Sequence, residues 1–278
     1  MHICILCTSS TLLPWYNIFV IKNDKRIGHL KLYVRKDKED TANFFANDIS
    51  RKLKEFRDVE GRDVLFLSSG GSAFSVLDRI QDDVIGPYLT IGLLDERFDP
   101  ENKITNYAQL RKTLFFKKAV QRGCRLIDTS TKKGQTMEEL ATYYELEIRR
   151  WREQHPKGAI IATIGMGPDG HTAGIMSFPE DINKFHDLFE GEQFIVAYDA
   201  HEKSTLRFRV TATITFLRYV DIVGVFIVGK EKGKMLHEVL ENKDLFKYPG
   251  SIIKTLARGA VYLDKEVSDV VIHESSIK

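Results

Sequence analysis

The feature that most constrains this chain is a recurring unit. A short run of β-branched and large apolar residues is followed by a polar or glycine-rich turn, then by a stretch with helical spacing. The runs "DVLFLSS", "YLTIGLLDER", "GAIIATIG", "DIVGVFIVGK" and "AVYLD" are apolar on successive residues, so strands formed by them need cover on both faces. "KLYVR", "EQFIVAYDA" and "TLRFRVTATI" are β-rich as well. Between them, "EDTANFFANDISRKLKEF" carries Phe44, Phe45, Ile49, Leu53 and Phe56 at helical spacing, with Asp40 or Thr41 as the expected cap. "SAFSVLDRIQ", "NYAQLRKTLFFKKA", "EELATYYELEIRRWREQ", "KEKGKMLHEVLEN" and "GSIIKTLARG" also read as helices. Such β/α alternation predicts a mainly parallel sheet with helices on both faces. Ligands of such sheets bind beyond the carboxyl ends of the strands. The loops that follow strands are therefore where function is sought.

The 278 residues leave room for two domains, but no Pro/Gly/Ser linker, repeat or low-complexity segment divides them. The expectation is one unit from residue 30 to 278, preceded by an extension of uncertain role over residues 1–29. In that extension, Ile3 to Ile21 has no charged residue, yet Thr, Ser, Pro and Asn interrupt it and no basic segment precedes it. No membrane role is expected. Cys4 and Cys7 form a C-x-x-C without the second ligand pair a zinc site needs, and Cys124 stands alone. With 41 basic and 39 acidic residues the charge is nearly balanced, which argues against a nucleic-acid or membrane-surface protein. Any anion recognition must come from a few placed residues.

Three loops after strands carry chemistry-bearing residues. Ser69, Gly70, Gly71 and Ser72 join a buried strand to a helix. Glycine there lets backbone N–H groups approach an anion at a helix start, although a plain tight turn uses the same residues. Asp95, Glu96 and Arg97 end the next strand. Arg97 can clamp a phosphate or carboxylate, and Asp95 or Glu96 can orient it or hold a sugar hydroxyl; the alternative is a solvated edge. Asn106, just before a helix, is a cap or a hydroxyl ligand. The third loop, "IGMGPDGHTAG", contains G-x-G-x-x-G at Gly165, Gly167 and Gly170. A dinucleotide turn is disfavoured, because Asp169 would face the pyrophosphate and Ser177 to Pro179 interrupts the helix such a turn must open. No binding of NAD or NADP is expected. Asp169 and His171 instead offer a carboxylate beside an imidazole, a pair suited to general-base work; the bland reading is a helix cap and a polar loop residue.

"LSSGGS", "LLDERFDPENKITN", "IGMGPDGHTAG" and "RFRVTATITFLRYVDIVGVFIVGKEKGKML" occur in an order and spacing that resembles the 6-phosphogluconolactonases of the glucosamine-6-phosphate isomerase/deaminase superfamily. The resemblance runs from about Leu30 to Asp264. It implies a three-layer α/β fold with a Rossmann-like sheet. It implies hydrolysis of 6-phospho-glucono-1,5-lactone to 6-phosphogluconate, a step of the pentose phosphate pathway in the cytoplasm, with no metal, nucleotide or other cofactor. The partner it implies is a small phosphosugar lactone; oligomeric state is left open. His171 and Asp169 would be catalytic. Ser69, Gly70, Gly71, Ser72, Asp95, Glu96, Arg97, Asn106, Gly167, Arg209 and Lys232 would bind substrate and its phosphate, with Thr211 on the same R-x-T strand. Arg207, two residues before Arg209, is a less favoured substitute.

The sequence departs from that resemblance at Ala73 and Phe74, where Thr and Pro are usual, and over Gly174 to Glu180. These changes are expected to touch the pocket rim. The deaminase branch resembles D-E-Y at the second loop and has a glutamate where this chain has Met176, so Arg97 and Met176 favour the lactonase. A non-catalytic sugar-phosphate sensor is the other alternative. A generic esterase lacks support, since no G-x-S-x-G elbow is present.

Overall fold

The computed structural model describes residues 25–27 and 30–277. Its strands are β1 (Lys25–Ile27), β2 (Leu30–Arg35), β3 (Val64–Ser68), β4 (Leu89–Leu93), β5 (Asp95–Arg97), β6 (Arg125–Leu126), β7 (Ala159–Gly165), β8 (Ile195–Asp199), β9 (Phe208–Ala212), β10 (Ile222–Ile227) and β11 (Gly259–Asp264). Its α-helices are α1 (Lys38–Asp58), α2 (Phe74–Leu77), α3 (Asn106–Leu110), α4 (Leu114–Gln121), α5 (Met137–Gln154), α6 (Ile182–Phe189), α7 (Ile214–Leu217), α8 (Gly233–Glu241) and α9 (Lys265–Ile277). The main sheet runs β1-β2-β11-β10-β7-β3-β4-β6. Seven of these strands are parallel, and β1 adds an antiparallel edge upstream of the expected start at Leu30.

Period-two alternation along these strands divides the core into two layers. Val64, Phe66, Ile161 and Phe226 face α1, α2 and α4, where Phe45, Leu53, Phe56, Leu77 and Phe115 pack. Leu65, Leu67, Ile160, Ala162, Val223 and Val225 face the other way, against Tyr144 and Trp151 of α5, Phe216 of α7, Leu236 and Val239 of α8, and Val267 and Val271 of α9. This is the three-layer α/β arrangement that the apolar runs imply.

Chain order and sheet order together locate the functional end. From β3 the chain moves outward to β4 and β6, then returns to the other side of β3 at β7 and proceeds to β10 and β11. The order therefore reverses between β3 and β7. A crevice opens beyond their carboxyl ends, because the loops after β3 and β7 leave in opposite directions.

Four elements named in the sequence reading take another form. "YLTIGLLDER" is two strands, because Leu94 changes sheets: its N–H donates to Ser68 O at 3.0 Å and its carbonyl accepts from Ala212 N at 2.7 Å. Beyond it, β5 joins a separate antiparallel sheet of order β5-β9-β8. The cap of α1 is Asp37 rather than Asp40 or Thr41, since its carboxylate accepts from Asp40 N at 2.9 Å. "NYAQLRKTLFFKKA" divides into α3 and α4, with Thr113 capping the second. "GSIIKTLARG" is a 3₁₀ segment over Pro249–Lys254.

The C-terminal helix α9 has no counterpart in the sequence reading. Cys4, Cys7 and the uncharged segment from Ile3 to Ile21 lie outside the described residues. Among the described residues no helix is long and apolar enough to cross a membrane.

Candidate active site

An open cleft of about 210 Å³ lies at this crevice. Ser69, Gly70, Gly71 and Ser72 line it from the end of β3, Gly165, Met166, Gly167, Pro168, His171, Ala173 and Gly174 from the end of β7. Asp95 and Arg97 of β5, Arg209 of β9 and Lys232, before α8, complete the wall. Grooves of about 450 Å³ occur between α5 and β8 and beside Arg207. Neither is lined by the glycine loops, so the smaller cleft is the candidate site.

The loop after β7 is built around a dyad. Asp169 Oδ1 lies 2.5 Å from His171 Nδ1 and accepts the His171 backbone N–H at 3.3 Å. A carboxylate at Nδ1 favours the tautomer with its proton there and leaves Nε2 with a lone pair. Burial works to raise the Asp169 carboxyl, but the hydrogen bond and charge of His171 outweigh it and hold the carboxyl below its usual range. Gly167 is required beneath this pair. A Cβ there would stand 2.2 Å from His171 Cε1 and Nδ1 and 2.5 Å from Asp169 Oδ1. Gly170 takes the left-handed conformation, φ +83°. No helix opens at Gly170: the chain instead makes short antiparallel bridges, Met166 to Thr172 and Thr172 to Ile175, and α6 begins only at Ile182. The G-x-G-x-x-G thus serves a tight loop that presents a histidine, without the helix N-terminus that holds a pyrophosphate.

The opposite wall is basic. Arg97 and Arg209 are direct partners across the β5–β9 ladder. Like charges so placed repel, and an anion between them removes the repulsion. Arg209 is 7% exposed. Its guanidinium is steadied by Ser204 Oγ, 3.0 Å from Nη2, and by Asp95 Oδ2, 3.7 Å from Nη1. The Nε groups of both arginines and Ser69 Oγ are buried without a hydrogen-bond partner among the described residues. Buried polar groups are almost always satisfied, so unpaired ones gathered at one cleft mark a polar ligand site. Lys232 is half-buried; burial draws its ammonium below the usual lysine range, Glu231 and Asp264 oppose that shift and Lys38 adds to it.

Two residues that the sequence reading placed among the candidate ligand-binding groups do not line the cleft. Glu96 is fully buried and both its oxygens are occupied: Oε1 accepts from Arg97 N at 2.6 Å and Asn106 N at 2.5 Å, Oε2 from Tyr107 N at 2.9 Å and Thr129 Oγ1 at 3.0 Å. It ties β5 to the first turn of α3. Asn106 is fully buried too, and its Nδ2 donates to the Asp95 carbonyl and to Asp95 Oδ2, each at 3.0 Å. Its amide lies where a Cβ on Gly70 would be, 2.3 Å from Oδ1. It supports the first loop and Asp95 from below.

Arg207 also leaves the cleft, pairing with Asp199 through Nε at 3.0 Å and Nη2 at 2.5 Å. The sequence reading missed Tyr198, whose hydroxyl donates to Gly174 O at 2.5 Å, and Ser204. Strand alternation marks Tyr198 as one-sided, but only the fold shows which loop it meets.

Residues 36–262 match the family described as Glucosamine-6-phosphate isomerases/6-phosphogluconolactonase. The chain belongs to that family. Its relatives include a 6-phosphogluconolactonase of Thermotoga maritima, 27% identical over 211 residues, which span 74% of this chain and 88% of that protein. A 6-phosphogluconolactonase of Homo sapiens is 25% identical over 194 residues, 67% of this chain and 72% of its own length. Among solved structures, the 6-phosphogluconolactonase from Plasmodium vivax superposes with a TM-score of 0.72 at 16% identity, covering 90% of this chain and 95% of that one. The family is one of sugar-phosphate enzymes, and its fold is the parallel sheet described above.

Within this family fold, the departures at Ala73 and Phe74 do not line the cleft. Ala73 is fully buried and Phe74 begins α2, packed against the core. Of the segment Gly174 to Glu180, only Gly174 reaches the wall; Met176 and Phe178 are buried, and Glu180 pairs with Lys203. The expected changes at the rim are mostly changes behind it.

Proposed function

We propose that the protein hydrolyses 6-phospho-glucono-1,5-lactone to 6-phosphogluconate. The observation that carries this reading is the placement of the Asp169–His171 dyad in one cleft with the opposed Arg97–Arg209 pair and Lys232. In this reading His171 Nε2 takes a proton from water as the water oxygen attacks C1. Asp169 holds the ring and offsets its developing charge. N–H groups of the turn after β3, over Gly71–Ala73, stabilise the oxyanion formed at the carbonyl, since the first N–H groups of a helical turn have no partner within it. On collapse the ring C–O bond breaks, and the imidazolium returns its proton to the departing alcohol oxygen. The 6-phosphate, held by Arg97, Arg209 and Lys232, fixes the ring for attack.

The deaminase reading is less well supported. Met176, at the position where that branch carries a glutamate, is buried and offers no carboxylate to the cleft. The test is lactone hydrolysis with the spontaneous rate subtracted, on phosphorylated and unphosphorylated lactone. Arg97→Ala should raise KM strongly for the first and little for the second. Equal losses on both would remove the phosphate role, and no rate above background would remove the activity.

A further inference from the structure

The helix that the apolar alternation did not announce, α9, lies directly behind the turn that carries Lys232. Gly233, next to Lys232, is in close contact with it: a Cβ on Gly233 would stand 2.4 Å from Val270 Cβ and 3.2 Å from the Val267 carbonyl. The turn itself needs Gly229 in the left-handed region, φ +97°, and the Lys232 N–H donates to the Gly229 carbonyl at 3.0 Å. One side chain joins turn and helix. Asp264, at the end of β11 and 3% exposed, accepts the Gly229 N–H on Oδ2 at 2.9 Å and the Val267 N–H on Oδ1 at 2.9 Å. The second bond is a helix N-cap, in which a side-chain oxygen receives an N–H of the first turn. The first is not needed to cap anything.

We infer that Asp264 is a positioning residue for Lys232: one carboxylate clamps the Gly229 turn to the start of α9 and so fixes where the lysine ammonium enters the cleft. This rests on the reading of Lys232 as a phosphate ligand. The electrostatics agree with the geometry, since the Asp264 charge favours the ammonium that burial disfavours, while Glu231 also supports it and Lys38 opposes it. A half-buried lysine on a loose turn would swing toward solvent. A turn pinned on both sides keeps it inward.

Asp264→Ser separates clamp from cap. Serine is a good N-cap, so α9 retains its first-turn acceptor, but the shorter side chain does not reach Gly229. Two measurements are made on the full chain. The first is the rate of acylation of Lys232 relative to the other lysines, read by peptide mass spectrometry, together with the thermal midpoint. The second is KM for 6-phospho-glucono-1,5-lactone and for glucono-1,5-lactone, in Asp264→Ser, Lys232→Met and the double variant. The expected result is a changed acylation rate at Lys232 alone and a rise of about fivefold or more in KM for the phosphorylated lactone. KM for the other lactone should hold, and the double variant should be no worse than Lys232→Met, as coupled residues require. An unchanged acylation rate at Lys232 would overturn the proposal whatever activity does. So would KM effects that add in the double variant. A changed acylation rate with phosphate selectivity intact in both single variants would uphold the positioning role and remove Lys232 as a phosphate ligand.

Discussion

At the residue scale the site depends on Gly167. Its φ is outside the left-handed region, so alanine is acceptable to the main chain there; the difficulty is space, because a Cβ would meet the His171 ring at 2.2 Å. Gly167→Ala should therefore push the imidazole off its position while leaving the denaturation midpoint nearly unchanged. A displacement of that order lowers kcat by about 10²-fold, with little effect on KM. A normal kcat in the alanine variant would mean that the ring position is not what matters. His171→Asn removes the base while keeping size and one hydrogen bond. It should lower kcat by roughly 10²-fold or more, with modest change in KM. Near-normal turnover above the spontaneous rate would take His171 out of the mechanism, and Asp95 would then be the carboxylate to examine, since Glu96 is sealed.

At the element scale, Glu96 fixes how β5 meets α3. Four donors converge on its two oxygens, and two of them are N–H groups of the first turn of α3. Glu96→Gln sets an amide NH₂ against donors and should cost about 1–3 kcal/mol. Burial, working against those donors, pushes the carboxyl up to about 7. Between the ordinary carboxylate range and about 7, the native state therefore keeps a proton that the unfolded chain has already lost. The stability tied to this group is present below the ordinary carboxylate range and is lost as pH rises toward about 7. Urea unfolding of wild type and Glu96→Gln across that interval should show the wild-type advantage shrinking as pH rises. Parallel curves would mean that Glu96 is ionised throughout. Because β5 carries Arg97, the same variant should also weaken binding of the phosphorylated lactone.

At the scale of the whole molecule, the cleft joins the ends of both sheets. β3 and β7 supply the glycine loops, while β5 and β9 supply the arginine pair. A ligand bridging these walls stabilises the fold by linkage, by about 2.7 kcal/mol at a hundred times its dissociation constant. For a chain of this size that is roughly 5 °C in Tm. 6-Phosphogluconate should produce such a shift in wild type and in His171→Asn, and little in Arg209→Ala. Gluconate without the phosphate should produce little in any of them. Equal shifts with and without Arg209 would place the phosphate elsewhere.

The apolar runs by themselves determined the fold class, because a strand with no polar face can only be buried between two layers. They also placed the glycine loops, Asp169 and His171 after strands of the main sheet, where a parallel sheet leaves room for ligands; Arg97 instead lies on β5 of the antiparallel sheet. The sequence left undecided which side chain of a charged triplet enters the cleft. Asp95, Glu96 and Arg97 look alike as a solvated run, but period-two alternation on a strand that changes sheets turns Glu96 inward and its neighbours out. It also left Asn106 open between cap and ligand: the structure gives the cap of α3 to Thr105 and packs the Asn106 amide under Gly70. The opposition of Arg97 and Arg209 is a matter of register between segments more than a hundred positions apart, which local pattern does not encode. α9 escaped notice for a related reason: its apolar stripe is short, and what makes it a helix of consequence is the turn of Lys232 packed against it.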